Sequence, residues 1–423
     1  MSPPVLGPAD LAAVDAALAP ADSERLACYP GDRTDRQPVH TVYVPADRFT
    51  ADLAPRWGAA AQAALAKDAP GPAHLAAVLG WPEAEVAAVW DAVVAKLASE
   101  PIEDLRVDLE DGYGSRPDEV EDVDAVAAGR AIAAAVRGGT APPYLGLRFK
   151  SLEGGTRRRG LRSLDLVLGA LLAETALPEG WVVTLPKVTS VAQVTAMVDV
   201  CERLERGYGL AAGALRFEIQ VETPQAVLLP DGSAGVARMV QAADGRCTGL
   251  HFGTYDYTAA LGIAGGFQAL DHPAADHAKA VLQLAAAGTG VRVSDGSTNL
   301  VPSGDRATVH AGWARHARLV RRALERGFYQ GWDLHPAQLP TRYLATYLFF
   351  RTDLGSLGGR LGRYLAGPGG ADGAVLDEPA TAQALAAFLL RGMRCGAVSA
   401  AEVRELTRVD PDAVAALAAR RVG

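Results

Sequence analysis

Short apolar runs of strand length recur along this chain with stretches of helical pattern between them, and that alternation constrains the fold more than any other feature. Eight runs are legible: HTVYVPA (40–46), DLRVDLE (104–110), YLGLRFK (144–150), WVVTLPK (181–187), LRFEIQVE (215–222), TGLHFG (248–253), GVRVSD (290–295) and FYQGWDLH (328–335). The intervening SVAQVTAMVDVCERLERGYG and GWARHARLVRRALERG both close on glycine near basic residues, as helix C-termini do. Strands alternating with helices build a parallel sheet. Eight such units predict an α/β protein with a TIM (β/α)8 barrel over 37–345.

Three stretches fall outside the repeat. Residues 1–36 are expected to form an N-terminal helical extension, and 51–100 an Ala-rich helical insertion after strand one. Beyond 346 comes LGSLGGRLGRYLAGPGGADG, then helical runs at 378–394 and 399–420. A Gly/Pro segment followed by helices reads as a C-terminal helical lid spanning 346–423.

Composition narrows the function class. A net charge of −8 argues against a nucleic-acid or anionic-membrane surface as the main partner. The four cysteines, Cys28, Cys201, Cys247 and Cys395, stand alone without a CxxC. Neither a disulfide framework nor a zinc site is therefore expected, and the default compartment is the cytoplasm. The opening residues lack a basic segment before an apolar core, so no secretory signal is expected there. No apolar run reaches membrane-spanning length.

Two acids stand where strands five and six run out: Glu222 in QVETPQA and Asp256 in FGTYDYT. The strand ends of a barrel form one rim, so the two are expected to converge. Paired carboxylates repel unless a cation lies between them, and hard oxygen ligands suit Mg²⁺, or Mn²⁺ in its place. That points to a divalent-metal enzyme.

Other candidates share that rim. Asp108, Glu110 and Asp111 end strand two, and alternation puts Asp108 and Glu110 on one side, either at a site or in a solvated strand end. Arg148 interrupts apolar strand three and needs an anionic partner: the nearby acids, a substrate carboxylate, or a structural bridge between strands. Arg157, Arg158 and Arg159 read as a solvated loop, with phosphate contact by Arg157 and Arg158 the other reading. Lys187 is either a Schiff-base nucleophile of a metal-free aldolase or a surface lysine. His251 reads as a packing residue, and His335, before a proline, as part of a turn.

The motifs in order resemble the citrate lyase β-subunit-like branch of the HpcH/HpaI aldolase superfamily, which includes malyl-CoA lyases. VYVPADRF (43–49), VDLEDGYG (107–114), LRFKSL (147–152), LPKVTS (185–190), VETPQA (221–226), FGTYDYTAALGI (252–263) and HPAQL (335–339) carry the likeness. DGAVLDEP (372–379) is similar to the family's lid motif. The resemblance implies Mg²⁺ held by Glu222 and Asp256, Arg148 facing substrate, and Asp108 and Glu110 shaping the site. It also implies a lid aspartate at Asp377, with Asp372 as the fallback, and a homo-oligomer whose lids close over neighbours. The long 51–100 insertion, VPADR, and the tyrosines flanking Asp256 depart from the family pattern and leave coenzyme A open as the acyl carrier.

The function so implied is a Mg²⁺-dependent carbon–carbon lyase or aldolase acting on a small oxo- or hydroxy-acid, with its CoA thioester as one form of the substrate. Two alternatives stand beside it. One is a metal-dependent pyruvate-type aldolase without CoA, which needs a histidine near the first strands; His40 precedes strand one. The other is a non-catalytic, metabolite-binding barrel.

Overall fold

The computed structural model describes residues 5–366 and 378–419. Eight parallel strands form its centre: β1 (His40–Pro45), β2 (Asp104–Asp108), β3 (Tyr144–Arg148), β4 (Trp181–Leu185), β5 (Phe217–Val221), β6 (Cys247–Phe252), β7 (Arg292–Ser294) and β8 (Gly331–Asp333). Their order is β7-β6-β5-β4-β3-β2-β1-β8. Two backbone bonds close the ring between its ends, Asp295 N–H to Gln330 O at 2.8 Å and Trp332 N–H to Gly296 O at 3.3 Å. The expected TIM barrel is therefore the fold, and each of the eight apolar runs supplies one strand.

The period of two divides each strand's side chains between two environments. In β2, Leu105 and Val107 point outward into the apolar layer beneath the helices, where each contributes about 1.5–3 kcal/mol by burial. Asp104, Arg106 and Asp108 alternate with them and are equally buried. The barrel interior is accordingly polar and internally paired. Arg106 bridges Asp104 and Glu218, the latter at 2.9 Å. Glu218 also meets His251 Nε2 at 3.0 Å, and Trp332 Nε1–H donates to His251 Nδ1 at 3.1 Å.

The connection from β1 to β2 holds three helices, Leu53–Asp68, Pro72–Leu79 and Glu83–Ser99. They share a second apolar cluster with the helix Leu339–Arg351 and with helices of the C-terminal segment, through Leu65, Val89, Tyr343, Leu361, Leu389 and Val403. Leu339–Arg351 is continuous across position 345. The helix Pro379–Arg394 abuts the N-terminal ends of the strands: Ala380, Ala384 and Ala387 wall a 440 Å³ cavity with Val39, Val291 and Tyr329. At the start of the described chain, the helix Pro8–Cys28 buries none of its residues.

Candidate active site

At the opposite, C-terminal rim, β2 to β6 bring seven charged side chains together. Arg148, last residue of β3, is 6 % exposed and grips Asp108, last residue of β2, through two bonds of 2.7 Å, Nε to Oδ1 and Nη2 to Oδ2. The tight β2 exit locks Asp108 from behind. The Glu110 amide donates to Oδ1 at 2.9 Å and the Gly112 amide to Oδ2 at 2.8 Å. A Cβ on Gly112 would stand 2.5 Å from Asp108 Oδ2, so only glycine admits that approach. Arg148 Cζ lies over the ring of Tyr43 of β1, 4.6 Å from the ring centroid. Burial works against the Arg148 charge, but Asp108 and Glu110 more than offset it and hold its pKa far above the ordinary value.

Arg148 leads on to the acids beyond. Its Nη1 is 3.6 Å from Glu110 Oε2 and 3.5 Å from Gln220 Oε1 of β5. Gln220 Nε2 donates to Glu222 Oε2 at 3.2 Å. Glu222 follows β5 directly, is 3 % exposed, and accepts the Lys187 amide on Oε1 at 2.8 Å. Gly253, in register beyond β6, makes room for it: a Cβ there would fall 2.4 Å from Glu222 Cβ.

Lys187 occupies the middle of the acidic group. Its ammonium is 2.7 Å from Asp111 Oδ2, 2.9 Å from Asp256 Oδ2 and 3.3 Å from Glu110 Oε1. The residue is in the left-handed region at φ +50°, which no glycine relieves. Burial alone would lower the ammonium's pKa, but Glu222, Glu110, Asp111 and Asp256 raise it well above normal. A Schiff-base nucleophile must be a neutral amine, so this environment opposes that role for Lys187.

The carboxyls respond to the same crowding. Burial pushes Glu222 up to about 8, with Asp256 and Glu110 adding to it and Lys187 and Arg148 opposing. Burial likewise pushes Glu110 up to about 7, reinforced by Asp111 and opposed by Arg148 and Lys187. Asp256 lies in the first turn of the short helix Thr254–Ala260 with a half-exposed side chain, so one of the two candidate metal ligands is buried and the other faces solvent. Among the described residues no three Asp, Glu, His or Cys side chains already converge as a coordination shell. The donor set nevertheless fits a hard divalent cation: two carboxylates on adjacent strand ends, in an acidic group held together by a positive charge. Mg²⁺ takes one or two carboxylates when water and substrate oxygens complete its shell.

Arg157, Arg159 and His335 are engaged in other contacts. Arg157 to Arg159 form the first turn of the helix Arg157–Leu172 rather than a loop. Arg159 is bound to Asp122 at 2.5 Å and lies 3.3 Å from Glu121, and Arg157 donates to Leu152 O at 3.2 Å. His335 caps the 3-10 turn Pro336–Gln338, accepting the Ala337 amide on Nδ1 at 3.2 Å. Asp372 and Asp377 lie outside the described residues, and the helix that follows them, Pro379–Arg394, sits at the far end of the barrel from Glu222. Sequence reasoning missed Gln220, which links Arg148 to Glu222, and Gly253, which clears space for Glu222. A lone Gln in an apolar strand and a Gly between strand and helix were their only signals.

The fold is similar to that of solved structures at low identity. A citrate lyase from Burkholderia xenovorans LB400 has a TM-score of 0.59 at 18 % identity, over 89 % of this chain and 98 % of that one. CitE from Mycobacterium tuberculosis, solved with magnesium, acetoacetate and coenzyme A, has a TM-score of 0.48 at 20 % identity, over 86 % and 100 %. Haloferax volcanii malate synthase has 0.48 at 16 %, over 74 % and 75 %. No curated protein matches the sequence. A family model described as a domain of unknown function, DUF6986, matches residues 18–422, and the chain belongs to that family.

Proposed function

We propose that this protein is a Mg²⁺-dependent carbon–carbon lyase or aldolase that works on a small oxo- or hydroxy-acid, with an acyl-CoA as the partner that is cleaved off or condensed. The observation that carries the reading is the buried Arg148–Asp108 pair placed beside Glu110, Glu222, Lys187 and Asp256 at one barrel rim. Glu222 and Asp256 would hold the metal, which supplies Lewis-acid polarisation of a substrate carbonyl when bound. Asp108 is a positioning residue: it takes Nε and Nη2 of Arg148 and leaves Nη1 turned toward Glu110 and Gln220. A substrate oxygen replacing those weak Nη1 contacts would gain a charge-assisted donor as negative charge develops on it. Removal of the acyl partner's α-proton is assigned to Asp377 of a neighbouring copy, because the helix that follows it in the same chain lies at the far end of the barrel from Glu222.

The pyruvate-type alternative is less well supported. His40 faces outward from the barrel wall, with Nδ1 2.8 Å from Asp333 Oδ2 and Nε2 accepting the Glu103 amide at 3.1 Å. Both ring nitrogens are used, so His40 offers no base to the site.

The test is to incubate the protein with Mg²⁺, acetyl-CoA and each of glyoxylate, pyruvate and oxaloacetate, following formation of the hydroxyacyl-CoA thioester, with free thiol as the sign that the thioester is also hydrolysed. Turnover that needs Mg²⁺ and disappears in Arg148→Met supports the reading. Oxo-acid turnover without CoA would favour the pyruvate-type aldolase. Metabolite binding with no turnover of any pair would favour the non-catalytic barrel.

A further inference from the structure

Lys187 is attached to the candidate metal site in two independent ways. Its backbone amide holds Glu222 Oε1 at 2.8 Å, which aims that carboxylate whatever the side chain does. Its ammonium separately reaches Asp256 at 2.9 Å, Asp111 at 2.7 Å and Glu110 at 3.3 Å. The first attachment is fixed by a left-handed backbone, φ +50°. The second ends a flexible side chain that is 27 % exposed, so the ammonium can leave while the amide stays.

From this arrangement we infer that Lys187 is a resident cation, holding the acidic rim together until a divalent ion displaces its ammonium from Asp256. The inference rests on the metal-site reading above and goes beyond it by assigning Lys187 a competing role. Charge balance at the rim demands a counter-ion. Glu110, Asp111, Glu222 and Asp256 would repel one another without a counter-charge, and the ammonium is the cation in direct contact with three of them. A divalent ion entering at Asp256 would meet a like charge about one hydrogen bond away, so it cannot bind with the ammonium unmoved. Lys187 thereby weakens metal binding and keeps the empty rim folded. Such a trade suits a site where metal arrives with its chelating substrate, because their joint binding energy drives the displacement.

A purely structural lysine and a competing one differ in the sign of one measurement. Lys187→Met keeps the amide bond to Glu222 and removes the charge, and Lys187→Arg keeps a charge of different shape. Mg²⁺ affinity of each would be measured by calorimetry at pH 9, where protons compete little for Glu222. The expected result is binding about tenfold tighter in the Met variant than in wild type, with the Arg variant close to wild type. In parallel, the Met variant should melt at lower temperature in EDTA and gain more from added Mg²⁺ than wild type does. Folded Met protein with unchanged or weaker Mg²⁺ affinity would overturn the competing role while leaving the metal site standing. Absence of Mg²⁺ binding in all three proteins would overturn both. If the Met variant does not fold, Lys187→Gln serves: it should bind Mg²⁺ more tightly than wild type, and monovalent salt should weaken its Mg²⁺ binding more than that of wild type, where salt also loosens the competing ammonium; equal Mg²⁺ affinities of Gln and wild type would refute the role.

Discussion

Arg148 and Asp108 end neighbouring parallel strands and meet in a two-pronged ion pair, both bonds 2.7 Å long. β2 and β3 pair in register at this very position, Asp108 opposite Arg148. The pair therefore fixes the rim of the barrel and, through Nη1, the donor that faces the acidic group. Losing either member leaves a buried charge unpaired, which costs about 3–5 kcal/mol. Arg148→Met is expected to lower urea stability by that order. Arg148→Lys should keep more of the stability but lose the fork, with turnover falling about 10²–10³-fold. Urea denaturation alongside kcat for both variants separates the two effects, and equal turnover of Lys and wild type would deny Arg148 its role.

Gly253→Ala tests the packing behind Glu222. The new methyl would meet Glu222 Cβ at 2.4 Å and Oε2 at 2.5 Å, far inside contact distance. The carboxylate must move, so Mg²⁺ affinity should drop at least tenfold while the barrel stays folded. Calorimetry with circular dichroism checks it. Undiminished Mg²⁺ binding by the folded variant would place the metal ligands elsewhere.

Glu222 should exchange stability for function. Its folded pKa of about 8 stands above its ordinary value, so the folded state binds more protons between the two. The resulting penalty on folding grows as pH rises from the ordinary carboxylate range to about 8 and is constant beyond. Glu222→Gln removes that penalty, so its Tm at pH 9 is expected above that of wild type, while the Mg²⁺-induced rise in Tm is lost. Wild type should also release protons on taking up Mg²⁺ at pH 7 and fewer at pH 9, measurable by calorimetry in buffers of different ionisation enthalpy. A Gln variant less stable at pH 9 would contradict the burial argument.

A second pH effect originates on the outer face of the barrel. His316 is buried, with Nε2 2.9 Å from Asp333 Oδ1 and Nδ1 2.8 Å from Thr341 Oγ1. Burial lowers its pKa, and Asp333 only partly opposes this. Below the ordinary value of 6.5 the unfolded chain thus binds more protons, and stability falls as pH drops through that range. The companion carboxylate, Asp333, is held well below its usual range by Arg342, His316 and His40 despite its burial, so its contribution is lost only in stronger acid. Melting curves from pH 8 to pH 5 should slope downward more in wild type than in His316→Gln. Parallel slopes would show that His316 does not titrate on unfolding.

The strands were legible because each is short, apolar on its outer face and bounded by turn residues, and eight in alternation with helices have few other solutions. The site was legible only in part. Asp108, Glu110, Arg148 and Glu222 are polar residues at strand ends, so position alone marks them. The partners of Lys187 were not, because Asp111 is 76 residues away and Asp256 is 69, and no local pattern ties them. The Arg157–Arg159 run misled for a different reason. Basic residues oppose the dipole at a helix N-terminus, which disguised a helix start as a loop, and the opposition is offset for Arg159 by Asp122 and Glu121.

The central claim is that Glu222 and Asp256 together hold a divalent ion to which an oxo-acid binds. The most direct measurement is calorimetric titration of Mg²⁺ and glyoxylate into wild type and into a Glu222→Ala, Asp256→Ala double variant. The account predicts that glyoxylate binds wild type only when Mg²⁺ is present, and that the folded double variant binds neither. Glyoxylate binding that is independent of Mg²⁺, or that survives in the double variant, would contradict it.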